Sequence, residues 1–90
     1  MKLPQALTLD VATAAVDTLR ADAAASQGAL EIDASALTVF DTAALALLLQ
    51  ARRLAQAAGR AFEVRGAPPK LIQLAQLYGV AELLGLAQGA

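Results

Sequence analysis

Two side chains in the stretch "LTVFDTAALALLLQARR", residues 37–53, have the types and spacing for chemistry: Asp41 and Thr42 stand directly before seven consecutive apolar residues, Ala43 to Leu49. A carboxylate in that place caps a helix by accepting a backbone N–H, worth about 1 kcal/mol over alanine. A hydroxyl beside it sits at the positive end of the helix. There a partner can hydrogen-bond it, or a phosphate can be held by the dipole and opposed by Asp41. Asp33, at the end of "LEID", is a second carboxylate that can approach Asp41, yet no nucleophile or set of metal ligands joins the pair. The chain has no His and no Cys, which removes the usual zinc ligands and the thiol nucleophile. "GRAFEVRG" places glycines seven apart without the lysine of a phosphate-binding loop. No catalytic residue, metal or cofactor is therefore expected.

Three further residues are candidates for contact with a partner. Arg52 and Arg53 lie on the polar end of the same helix, where they can meet acids of another protein or simply complement the helix C-terminus. Tyr78 follows Leu71 and Leu74 at helical spacing. Its ring reads either as an interface residue or as the rim of the core with its hydroxyl in water.

The positioning elements follow from hydrophobic patterning. "LPQAL", residues 3–7, can be extended, and Pro4, with no N–H, makes it an edge strand. Thr8 is a candidate cap and Asp10 a first-turn acid for a helix over about residues 9–24, with Ala12, Ala15, Val16, Leu19 and Ala23 on one face. "SQG", residues 26–28, is a turn. "LEID", residues 30–33, and "FEVR", residues 62–65, each alternate apolar and charged residues, as strands with one dry face do. Residues 42–58 form a second helix, stopped by Gly59, whose N-terminal half must be buried on most sides. "APPK" opens a third helix closed by Gly79, and "VAELLGLA" adds a short helical piece. The order strand, helix, strand, helix, strand, helix, helix calls for an α/β fold with a small, mostly parallel sheet and helices on one face. Residues 1–90 read as a single domain.

Composition bounds the function. The chain has 90 residues, 58% of them hydrophobic, and a formal net charge of −1, with its seven basic residues scattered. Nucleic acid is excluded as a partner on that charge pattern. "MKLPQALTLD" lacks the apolar segment of a secretory signal, and the longest apolar run is far below the roughly 18 residues of a membrane span. A cytoplasmic location is expected, with no direct membrane insertion and any membrane association made through another protein. A small, apolar-rich chain with few charges is expected to associate, as a homodimer or within a heteromeric complex.

The order of these pieces is itself informative. "LEIDAS", the short loop "ALTVF", "DTAAL" opening a buried helix, and "GRAFEVRGAPPKLIQLAQLYGVAELL" resemble the STAS family over about residues 30–84. Anti-sigma-factor antagonists, sulfate-transporter tails and the small cytosolic subunit of the Mla phospholipid-transport ABC system share that fold. Asp41, Thr42, Ala43, Ala44 and Leu45 match the family's Asp, Ser or Thr, two small residues and an aliphatic; Asp33 and Ser35 match its "DxS". The resemblance implies a partner-binding site at Asp41, Thr42, Ala43 and Ala44, with Thr42 at the position phosphorylated in the antagonists. The ending "LIQLAQLYGVAELL", Thr rather than Ser at position 42 and the run Leu45 to Leu49 are more similar to the Mla subunit, while Ala44, where Gly is usual, is a departure that weighs against the antagonist. The resemblance then implies binding to an ABC transporter ATPase; the alternative it implies is an antagonist paired with an anti-sigma factor kinase.

Overall fold

The computed structural model describes residues 1–86. Its elements run β1 (Ala6–Leu7), a 3₁₀ turn (Leu9–Val11), α1 (Ala12–Ala25), β2 (Leu30–Asp33), β3 (Val39–Phe40), α2 (Thr42–Ala57), β4 (Phe62–Arg65) and α3 (Pro69–Leu77). β2 pairs with β4 and β1 with β3, both parallel. This is the small α/β arrangement that the patterning predicts.

The amino-terminal segment corrects the edge-strand expectation. On one flank Leu3 N–H donates to the Asp33 carbonyl and Asp33 N–H to the Met1 carbonyl, both at 2.8 Å. On the other, the Gln5 carbonyl accepts from the Thr38 and Val39 N–H groups at 2.8 and 3.1 Å. The chain bends at Gln5, directly after Pro4, so the missing proline N–H falls where the segment changes from one neighbour to the next. That bend joins the two strand pairs. β3 lies within "ALTVF", which reads as a loop because two residues are too few to show alternation.

The strand faces divide as expected. Leu30 and Ile32 are buried, and their neighbours across the pair, Phe62 and Val64, are half-buried on the same face. Opposite them, Arg65 bridges Glu31 at 3.4 Å and Glu63 at 2.9 Å, all well exposed. Such exposed pairs contribute little stability. The core is aliphatic. Leu3, Leu7, Leu19, Ile32, Leu37, Leu48, Leu71 and Leu84 are its largest fully buried side chains, and Ala44, Ala51 and Ala55 give α2 a small-residue face against them. α2 supplies most of the helical contribution because its N-terminal half is apolar almost all round.

Two helix ends differ from expectation. Thr8 is extended and makes no side-chain cap; instead its carbonyl accepts Val11 N–H at 3.1 Å, a 3₁₀ turn forms, and the α-helix begins at Ala12. The expected helical piece after Gly79 is a set of turns over residues 81–85, with Leu84 N–H on the Val80 carbonyl at 3.1 Å and Leu86 N–H on the Ala81 carbonyl at 2.7 Å. Ala87, the last residue of that predicted piece, lies outside the described residues. Gly66 follows β4 with φ +68, and a Cβ there would stand 2.8 Å from the Ser35 Cβ. The turn after β4 and the turn after β2 are packed together on that glycine, which no side chain could replace without strain.

Arg60 is a fastening that patterning does not reveal. Its guanidinium donates to the Gly28 carbonyl at 2.6 Å, the Ala23 carbonyl at 2.8 Å and the Ser26 hydroxyl at 2.9 Å. It therefore closes the C-terminal end of α1 onto the loop before β4. Arg60→Ala is expected to lower unfolding stability by about 1–3 kcal/mol in a denaturant titration, and Arg60→Lys to recover less than half of that, since an ammonium cannot span all three acceptors.

Candidate functional site

Asp41 takes extended backbone angles, and its side chain is the N-cap of α2. One carboxylate oxygen, Oδ1, accepts the Ala43 N–H at 2.8 Å; the other, Oδ2, accepts the Leu9 N–H at 3.2 Å. A single carboxylate thus holds the starts of two segments that are 32 residues apart in the chain. The cap was legible in the sequence. The bond to Leu9 was not, because it depends on β1 and β3 lying side by side.

Thr42 is exposed at the first position of α2, while Ala43 and Ala44 are buried in the core. Of the four residues expected at the site, only Asp41 and Thr42 are exposed. The Ala44 methyl is inside, so the small residue there serves packing. Along α2, Ala46 is exposed, Leu49 half-buried and Arg53 exposed. At 100° per residue these fall within about 40° of Thr42, which makes one stripe about 16 Å long from Thr42 to Arg53. Arg52 lies off that stripe and is half-buried, donating to Gln56 Oε1 at 3.3 Å.

Exposed apolar residues border the Thr42 end. Leu9 is 77% exposed and Val39 57%; both are close to Asp41, one through its amide and the other two residues along the chain. Hydrophobic patterning puts Leu9 in a helix and Val39 in a loop, and no periodicity marks either as a surface residue. Further exposed apolar residues lie at and after the end of α3, where Leu77, its last residue, is 80% and Tyr78 58% exposed, with Leu83 also at the surface. Tyr78 is the C-cap residue of α3.

Asp33 serves a different turn from Asp41. Its Oδ1 accepts the Ser35 N–H at 2.9 Å, and hydrogen bonding from Ser35, side chain first and then backbone, holds the carboxyl below its usual range. The charged form is therefore favoured in the folded state. That contribution to stability is present above the ordinary value of 3.8 and is lost as pH falls through the lowered one. Among the described residues no charged or polar residue is buried, and no helix is long and apolar enough to cross a membrane.

A family model described as "Mlab, STAS domain" matches residues 1–85. No curated protein matches the chain.

Proposed function

The chain belongs to the STAS domain family, a family of regulatory and binding domains, and from that premise we propose that it is a non-enzymatic subunit that docks on the ATPase of an Mla-type phospholipid ABC transporter and supports its activity. The observation that carries this reading is the α2 stripe: Thr42 exposed at one end, Arg53 at the other, and Leu9 and Val39 forming an apolar border beside Asp41. Exposed apolar residues at one end and an arginine at the other give the surface residue types that are common at protein interfaces. The subunit reaches the membrane through the transporter. Its residues bind rather than react, with Asp41 organising the surface and Thr42 and Arg53 touching the partner.

One observation favours a second reading, an antagonist of a kinase-type anti-sigma factor. The Thr42 hydroxyl is accessible at the positive end of α2, where a phosphate is stabilised by the dipole. Both readings meet in one experiment. Transporter ATPase activity is reconstituted with wild type, Thr42→Ala and Thr42→Glu, after thermal melts establish that each is folded. Thr42→Ala is expected to weaken stimulation by about tenfold at limiting subunit, and Thr42→Glu more, because it sets a charge beside Asp41 inside the interface. Equal stimulation by all three removes Thr42 from the interface. Phosphate transfer to Thr42 from a purified anti-sigma kinase moves the assignment to the second reading.

A further inference from the structure

β4 has one bonded edge and one open one. The Ala61 carbonyl accepts from Leu30 N–H at 2.7 Å and the Arg65 carbonyl from Ala34 N–H at 2.8 Å, so the odd-numbered carbonyls of this segment face β2. Backbone direction alternates along a strand, and the N–H and C=O groups of Phe62 and Val64, with the N–H of Gly66, therefore point away from β2. No strand among the described residues pairs with them.

We infer that this edge pairs with β4 of a second copy of the chain, antiparallel, about a two-fold axis at Val64. The charges select both the occupant and the register. With Val64 opposite Val64, Glu63 of each copy stands opposite Arg65 of the other, and Phe62 stands opposite Gly66. Moving the register two residues either way sets Glu63 against Glu63 or Arg65 against Arg65, which like-charge repulsion disfavours. The edge is thus complementary to itself in one alignment. In that alignment the outward Val64 groups bond across the axis and each Gly66 N–H reaches the Phe62 carbonyl of the other copy, about four hydrogen bonds in all. Arg65 and Glu63 are both half or more exposed, so their side chains are free to re-pair across the junction. The half-buried Phe62 and Val64 extend the apolar face from one copy to the next. This pairing is independent of the transporter reading.

The test is sedimentation of the full chain over rising concentration at low salt. Wild type is expected to dimerise, with a Kd between about 10 μM and 1 mM for so short an edge. Val64→Pro removes an N–H that faces outward, leaves the bonds to β2, and should abolish the dimer. Glu63→Arg and Arg65→Glu, each folded by circular dichroism, should each weaken self-association by about tenfold. Mixed one to one, these two variants should re-form a dimer of wild-type affinity, since one presents only guanidinium groups at the junction and the other only carboxylates. If Val64→Pro does not fold, the charge-swapped pair decides alone. A single-chain mass for wild type up to on the order of 1 mM overturns the proposal, as does self-association that the charge variants leave unchanged or a mixture that stays monomeric.

Discussion

Leu48→Asp is expected to abolish cooperative folding. Leu48 lies midway along α2 and is fully buried, surrounded by the aliphatic core of Leu19, Ile32, Leu71 and their neighbours. A carboxylate there either keeps its charge without a partner or takes up a proton at a cost of several kcal/mol, and the leucine packing is lost in addition. Total stability for a chain of this length is about 5–10 kcal/mol, so the two losses together exceed or equal it. Thermal and denaturant melts followed by circular dichroism read the result. Leu48→Ala should instead remain folded and lose about 2–5 kcal/mol. Ala46→Asp, two residues away on the exposed stripe, should leave the melt within about 0.5 kcal/mol of wild type. A sharp, unshifted melt for Leu48→Asp would mean that α2 is not the core helix.

Asp41→Ala is expected to cost more than an ordinary cap. Losing the Ala43 N–H bond accounts for about 1 kcal/mol, and leaving the Leu9 N–H without its acceptor adds roughly as much, for a total of about 2 kcal/mol. The two parts are separable. Asp41→Ser keeps an oxygen for the cap and gives up the reach to Leu9, so it should recover about half. Amide hydrogen exchange distinguishes them directly: Leu9 should exchange faster in both variants, and Ala43 only in Asp41→Ala. Because Leu9 borders Thr42, the same variants should loosen the apolar side of the proposed docking surface. A loss confined to about 1 kcal/mol with Leu9 exchange unchanged would leave Asp41 a helix cap and nothing more.

Much of the framework was legible in the order of residues. Alternation in "LEID" and "FEVR" identified the two longest strands and their dry faces, since a period of two over four residues leaves little choice of face. The run from Ala43 to Leu49 required a helix buried on most sides, and Asp41 marked its start. The motif around Asp41 and Thr42, taken with the order of the flanking pieces, pointed to the STAS family, which the match over residues 1–85 shows.

Other features depended on which segments meet in space. That Asp41 caps α2 follows from residue order alone, because Ala43 is its neighbour in the chain and local geometry suffices. That the same carboxylate holds Leu9, that Pro4 marks a bend between two strand partners, and that Arg60 fastens the end of α1 all emerge only once the segments are packed together. Each of these links residues about 30 or more positions apart, and such contacts form only after the intervening chain is closed into place. Burial divided the site in the same way: two of four adjacent residues, Ala43 and Ala44, went to the core, while Asp41 and Thr42 stayed outside. Composition makes all four compatible with a helix start; the direction in which α2 packs chooses which of them a partner can touch.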